Sequence, residues 1–446
     1  MDTPVKKLRL LPLAIPLLIE QVLRHLVGTV NVFMLSNVSD AVSGAVGVAN
    51  QILDVVVIAF TLISAGGAIV INQTLGAKRY EEGAAISMNA VSACVVLGTA
   101  ISLVLGFFAP GFIRMMNLEE ALQPEAAAYL RIVGGASVLL AVSSMLSAIF
   151  RCYGNTRIPM LVMLANNVFN IIGCYVVVFR PFETPLSGAS GIAAVRAMSE
   201  GLGVVLQVIL LARAKKGFRL YDVFHPRFAR IVRILKLGIM SGMDGISYTL
   251  GQVVTTSFLT ALGTVALSAK VYVQNVDKYA YVVGLAVGQA TQIMSGHLIG
   301  AKKYDEAYRL INKNWRYVLV CNVFFGVAMY VFTPQIMRLF TQDAQIIELA
   351  RRLFFIDIFI HTGRSMNHCF NYGLRSAGYV FWPMIFASSS MWLFNVGGGY
   401  LFSVVLSLGA VGLWLGQAVD EWVRGLLSAF LWLKRFWQRK LEKETE

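Results

Sequence analysis

Carboxylates stranded in apolar sequence are the residues here with chemistry to perform. Glu20 lies one turn past Pro16 in LLPLAIPLLIE, and Asp244 stands within LGIMSGMDGIS. Such a group can hold Na+ among hard oxygen ligands, or carry H+ when burial raises its affinity for the proton. An ionised side chain at bilayer depth costs roughly 2.5–3.5 kcal/mol on insertion scales, so its presence implies a partner or a task. Competition between a small cation and a cationic organic compound for one carboxylate gives exchange in a single step. For Glu20 a structural partner is in view, Arg24 at i+4. Asp244 has no basic residue at i+3 or i+4 and reads as a bare charge. Asp357, His361, Arg364 and His368 recur at spacings of four, three and four, which lines them along one helix face. That stripe is either a proton relay, since histidine titrates at about pH 6.5, or a fixed hydrogen-bond lattice. Glu20, Asp244, Asp357 and His361 are thus the candidate ion-coupling residues.

Neutral amides supply a second set. Asn31, Asn166, Asn167 and Asn170 offer oxygens in the first half of the chain, and Asn395 is the second-half counterpart of Asn170. Asn31, Asn166, Asn170, Asn395 and Arg364 are the candidate substrate-cavity residues, although buried amides also serve simply to join helices. Asp54 and Lys278 stand 224 positions apart, an offset that recurs below, and are expected to meet as an inter-lobe latch. Glu200 and Glu421 are expected to pair with Arg196 at i−4 and Arg424 at i+3. The five cysteines show no metal-ligand spacing and read as packing residues.

These residues need apolar elements to carry them. The chain is 57% hydrophobic and 14% charged, about half the charged share of a soluble protein. Uncharged blocks such as 89–113, 158–179, 245–269 and 317–337 are long enough to cross a bilayer. Hydrocarbon offers no partner to the backbone, so they must be helices or a closed barrel. Barrel strands alternate apolar and polar residues; these blocks are apolar on all sides. We read twelve helices, at 10–36, 45–74, 86–110, 125–150, 158–180, 190–213, 231–260, 265–298, 308–333, 345–374, 380–407 and 411–433. No cleavable signal is evident at the start. An even helix number places both termini on one side, together with Lys78, Arg79, Arg151, Arg157, Lys302, Lys303, Arg375 and the basic stretch around Arg213–Lys236. The opposite side holds few basic residues, so the first side is expected to be cytoplasmic and the protein to sit in the cell inner membrane. The net charge of +14 is therefore topological, and nucleic acid is not a partner.

The chain also repeats itself. GAKRYEE at 76–82 returns as GAKKYDE at 300–306, and Arg151, Gly154, Pro159 and Met160 return as Arg375, Gly378, Pro383 and Met384. Glu20 becomes Asp244, Phe169-Asn170 becomes Phe394-Asn395, and GASGI at Gly188 becomes GAVGL at Gly409, with Glu200 becoming Glu421. An offset spanning six helices gives two like-oriented lobes related by a pseudo-two-fold axis along the membrane normal. The expected division is an N-lobe at 1–214, a basic cytoplasmic linker at 215–230, a C-lobe at 231–435 and a charged tail at 436–446.

The motifs now in view resemble the multidrug and toxic compound extrusion (MATE) family. They are the proline-bearing LAIP at 13–16, GAVGVANQI at 44–52, the GAK.Y turn in both halves, and FRCYGNTRIP at 150–159. The resemblance covers about residues 8–435. It implies a twelve-helix, two-lobed exporter of amphiphilic, often cationic, organic compounds, driven by inward Na+ or H+. In many members an Asp stands where this chain has Asn31, and another where it has Cys174. A coupling site built on those two acids is not carried over.

A lipid-linked oligosaccharide flippase of the same superfamily is the alternative, since Arg24, Lys270, Lys278 and Arg364 could serve a pyrophosphate. A membrane-embedded enzyme is not expected: there is no HExxH, no phosphate loop and no nucleophile–base pair at a shared depth. The sequence thus implies a monomeric all-α membrane protein with no cofactor beyond its coupling ion, and with the lipid bilayer and small amphiphiles as partners.

Overall fold

The computed structural model describes residues 8–36, 40–116, 118–179, 188–214, 217–219, 221–261 and 263–443, and no strand occurs among them. The first half runs through α1 (Leu10–Ser36), α2 (Asp40–Gly76) and α3 (Tyr80–Met115). Its fourth span is made of α4 (Gln123–Gly135) and α5 (Ser137–Cys152), bent by 43° where they meet. Next come α6 (Arg157–Phe179) and α7 (Gly188–Arg213), and a one-turn helix, α8 (Tyr221–Phe224), lies in the basic connection. The second half opens with α9 (Phe228–Ala261), α10 (Thr264–Gly300) and α11 (Tyr304–Val331), the last extended by α12 (Thr333–Met337). Then α13 (Ala344–Met366) passes through a π-helical turn, Asn367–Asn371, into α14 (Tyr372–Ser376). The eleventh span starts as α15 (Phe381–Ser390) and continues as π-helical segments Met391–Gly398 and Leu401–Val405. The last span is α16 (Gly409–Leu433), trailed by the short α17 (Phe436–Lys443). Counting broken stretches as one span each, the described residues make twelve spans in two sets of six, within a few residues of the ranges expected from sequence.

The repeat extends to backbone angles. Lys78 and Lys302, in the two GAK turns, have φ of 59° and 60°. Gly154 and Gly378, which follow Arg151 and Arg375, have φ of 77° and 70°, a region open to glycine without strain. The next helix after each GAK turn carries paired acids in its first turn, Glu81 and Glu82 in α3, Asp305 and Glu306 in α11, where they complement the positive end of the helix dipole.

The chain forms two compact units. The first contains Ile19–Ile239; the second contains Leu8–Leu18 and Met240–Glu446. The opening of α1 thus belongs to the second unit, where Leu13, Ala14 and Leu17 pack on Ala286, Ala290 and Ile293 of α10. The opening of α9 belongs to the first unit, where its backbone crosses α2 at a pair of glycines. A Cβ on Gly66 would stand 2.0 Å from the Ile234 carbonyl oxygen, and one on Gly238 would stand 2.2 Å from the Leu62 carbonyl oxygen. Close crossings on small residues are how helices associate where lipid removes the hydrophobic drive. The bend between α4 and α5 frees the amide of Val138, which donates to Ser102 Oγ of α3 at 2.9 Å.

Because the clashing atoms at the α2–α9 crossing are backbone, Gly66→Ala and Gly238→Ala should each destabilise the protein by more than ~2 kcal/mol. Gly44→Ala, on an exposed helical turn with nothing within 4 Å, should be neutral or slightly stabilising. Thermal unfolding of the purified variants in detergent decides this; equal behaviour of the three would refute the close crossing.

Candidate functional site

The bare charge expected at Asp244 is answered from another helix. Arg375 Nη2 donates to Asp244 Oδ2 at 2.6 Å, and its guanidinium lies over the Tyr372 ring, 5.4 Å from the centroid. The first unit does the same thing at the equivalent place: Arg151 Nη2 pairs with Glu20 Oε1. Both pairs join residues 131 positions apart. The expected i+4 partner Arg24 is also present, at 3.5 Å, but half exposed. Each repeat therefore pins its first helix to the end of its fourth span with one acid–arginine pair. The second oxygen of Glu20, Oε2, has no partner among the described residues.

The α13 stripe becomes a polar cluster in the second unit. Asp357, His361, Arg364 and His368 are all buried on it. Glycines bring α13 and α16 together: a Cβ on Gly425 would stand 2.8 Å from the Gly363 carbonyl oxygen. This contact sets Arg364 between two acids, its Nε donating to Glu421 Oε1 at 3.2 Å and its Nη1 to Asp277 Oδ2 at 3.1 Å. His361 Nε2 lies 2.8 Å from the other Asp277 oxygen. Glu421 also accepts from Asn367 at 2.7 Å and pairs with Arg424 at 3.3 Å, as its i+3 spacing suggested. Asp357 is different. Trp414 Nε1 donates to its Oδ1 at 3.0 Å, while its Oδ2 is buried with no partner among the described residues. No cation lies within 4.0 Å of Asp357 among the described residues, although Asp277 and Arg364 act on it electrostatically. His368 packs edge-on to Tyr281 and over Gly284, where a Cβ would stand 2.3 Å from the ring.

Asp277 was not singled out by sequence reasoning. The signal was there: Val48, Gln51 and Asp54 recur as Val271, Gln274 and Asp277, one residue short of the 224 offset. In that register the counterpart of Asp54 is Asp277, and Lys278 is its neighbour. Asp54 is exposed on α2 in the field of Arg196, and Lys278 is exposed on α10 and donates to Asn275 at 3.2 Å.

The amides sit within their own units. Asn166 accepts Ser199 Oγ at its backbone carbonyl (2.8 Å) and lies against Gly203 of α7. Asn170 is buried beside Cys174, and Asn167 donates to the Leu23 carbonyl oxygen at 3.0 Å. Asn395 is buried next to Asp420. Asn31 falls in α1, but its side chain lies outside the described residues. The expected Glu200–Arg196 pair does not close within 4.0 Å, because Arg196 Nη1 donates instead to Asn50 Oδ1 and Tyr129 Oη at 2.8 Å each. Among the described residues, no group of acids, histidines and cysteines is arranged to hold a metal.

Twelve helical stretches in two repeated halves, several of them long and apolar enough to cross a bilayer and with buried carboxylates inside, are the architecture of an integral membrane transporter. The MatE family model matches residues 16–176 and again residues 241–401, so the chain belongs to the MATE family. It is 35% identical to the uncharacterized transporter YisQ of Bacillus subtilis, over 98% of this chain and 96% of that protein. It is 24% identical to a probable multidrug resistance protein NorM of Thermotoga maritima, over 98% and 95%. A crystal structure of a MATE protein in complex with MaD3S shares the fold at TM-score 0.89 and 18% identity, with 98% of each chain covered.

If the acid–arginine pins hold the first helix of each repeat, Arg375→Gln should lower stability by about 3 kcal/mol, the cost of leaving a buried carboxylate unpaired. Adding Asp244→Asn should recover most of it. A double-mutant cycle on detergent unfolding checks this, and simple additivity of the two losses would count against the pin.

Proposed function

We propose that this chain exports amphiphilic, often cationic, organic compounds from the cytoplasm in exchange for protons, by alternating access. The observation that carries this reading is the half-satisfied carboxyl of Asp357, buried with one oxygen unpartnered next to the His361–Asp277 pair. The neighbours of Asp357 favour H+ over Na+. They are an indole N–H, an imidazole, a guanidinium and one carboxylate, Asp277, whose oxygens already face His361 and Arg364, so Na+ would lack the shell of free oxygens it needs. A proton needs one oxygen and no shell. Protonating Asp357 removes a negative charge near Asp277 and Arg364, and the field of that cluster then changes at the depth where a cationic compound would compete. Glu20 and Asp244 take part through their arginine pairs, as the struts of each repeat, with Glu20 Oε2 left available to a cation.

The crowd of Lys and Arg on one side of the spans supports a cytoplasmic location for both termini and for the basic connection between the halves. The family relatives bearing multidrug-resistance names support an amphiphilic substrate class. The flippase alternative is weakened by the state of its cations. Arg364 is held by Asp277 and Glu421, Arg24 approaches Glu20, and Lys270 donates to Thr256 at 2.6 Å, which leaves only Lys278, exposed and donating to Asn275 at 3.2 Å, and a single exposed lysine is a weak site for pyrophosphate.

Proteoliposomes loaded with ethidium test this directly. An imposed pH gradient should drive efflux and an imposed Na+ gradient should not, and Asp357→Asn should reduce the pH-driven rate at least ~100-fold, as removal of an essential proton carrier does. Efflux driven by Na+ alone, or an unimpaired Asp357→Asn protein, would discard proton coupling at this residue.

A further inference from the structure

The first unit keeps one carboxylate of the second unit's cluster without the partners it has there. A cavity of about 20 Å³ opens beside the α4–α5 bend, lined among others by Leu53, Val133, Ser137, Leu140, Arg196 and Glu200. It stands where the second unit keeps its polar cluster. At the repeat offset, Val133 replaces Asp357, Ser137 replaces His361 and Leu140 replaces Arg364. On α7, Ala193 stands in the place of Trp414, and Gly203 in that of Arg424. Asn166 packs into the place opened at Gly203, while Val133, Ser137 and Leu140 line the cavity. The glutamate itself is retained: Glu200 answers to Glu421.

The two glutamates differ in their partners. Glu421 is bound by Arg364, Arg424 and Asn367. Glu200 has no hydrogen bond or ion pair among the described residues. The charged groups that act on it are Arg196 on α7 and Arg24 on α1, and Arg196 in turn faces Tyr129 on α4 and Asp54 on α2. Arg196 is held off by Asn50 and Tyr129 and is shared in field with Asp54, so it tempers the Glu200 charge without closing on it. The cavity has room for about one water molecule, and Glu200, Ser137 and Arg196 give it the two to four polar partners such a site needs.

We infer that Glu200 is a second proton site, separate from Asp357, so that two protons move for each compound exported. This rests on the proton-exchange reading above. The step is a transfer from a solvent-derived hydronium ion in the cavity to a carboxylate oxygen of Glu200, and its reverse on the other side of the cycle. A Na+ ion fits the place poorly: most of the lining is apolar, two guanidinium groups stand nearby, and Ser137 is the one side-chain oxygen opposite the carboxylate.

The experiment uses the full chain in proteoliposomes, with ethidium as the probe and the membrane potential clamped at zero. With a tenfold proton ratio, two coupled protons sustain an ethidium ratio of about a hundredfold, and one proton sustains about tenfold. Wild type should reach the first value and Glu200→Gln the second. An unchanged ratio in Glu200→Gln overturns the inference while leaving proton exchange intact. No pH-driven ratio in wild type removes the underlying reading instead. A measurement on wild type alone covers a variant that does not fold. Dicyclohexylcarbodiimide, which reacts with protonated carboxyls in apolar surroundings, should label Glu200 by mass spectrometry, and the yield should fall as pH rises. Absence of that adduct at every pH also overturns the inference.

Discussion

A charge taken out of water must be answered by another charge or by a change of protonation state, and the whole arrangement of this protein follows from where each answer is found. Most of the acids described inside the spans are answered by arginine. Glu20 meets Arg151, Asp244 meets Arg375, Asp277 meets Arg364, and Glu421 and Asp420 meet Arg424. Arginine suits this task because its fork serves two carboxylates at once and stays charged when buried. Arg364 uses both sides of its guanidinium, and Arg424 reaches two acids on its own helix. Groups with such partners are poor carriers of an exchangeable ion, since removing either partner strands the other. Among the acids described inside the spans and not exposed, Asp357 and Glu200 have no close cation and are left to change state.

Duplication explains why the pins agree and the clusters do not. The acid–arginine pin joins the first and fourth spans in both repeats at the same separation of 131 residues. It depends on a turn in which glycine takes a positive φ just after the arginine, at Gly154 and Gly378. Both requirements are local and mechanical, and both copies keep them. The polar cluster occupies the middle of the unit, where a copy can exchange charge for apolar volume without losing its fold. The first unit has done so: a leucine, a valine and a serine stand where the second has arginine, aspartate and histidine. The same substitution that thins the lattice opens a cavity and frees a glutamate.

What could be read from residues alone divides along the same line. The spans were legible because a run of about 20 apolar residues has few other uses, and the eighth, expected at 265–298, is found at Thr264–Gly300. The bend after Gly135 fell inside an expected continuous helix, because Gly134-Gly135 is compatible with either outcome until packing on Ser102 and Leu105 decides. The π-helical stretches were not legible, since one extra residue in a turn leaves no mark either in the polar NHCFN at Asn367–Asn371 or in the apolar runs of the eleventh span. Arg151 and Arg375 counted as markers of the cytoplasmic side, and side chains of that length can mark one side while reaching back to an acid. Asp277 is hidden in the sequence by its neighbour: at the 224 offset Asp54 aligns with the oppositely charged Lys278, and a one-residue shift of register is needed to align it with Asp277. The Asp357–His361–Arg364 stripe was legible from spacing, but its partners on α10 and α16 were not, because helix periodicity places a face and says nothing about which helix meets it.

The unsatisfied oxygen of Asp357 is then informative in a way the satisfied acids are not. Native proteins leave few buried polar atoms without partners, and those they leave call for a reason. The lattice around Asp357 had the means to satisfy it: Arg364 is one turn and three residues further along the same face, and it is turned away toward Asp277 and Glu421 instead. A structural lattice would spread its donors to cover every acceptor. One that concentrates them on two acids, and gives the third only an indole N–H, keeps that third group able to gain and lose a proton without dismantling the helix contact beside it. Since α13 and α16 are already fixed by the Gly363–Gly425 approach and by the Glu421 network, a change of charge at Asp357 can be felt as a field rather than as loss of structure, and that is the property a repeatedly cycling coupling site requires.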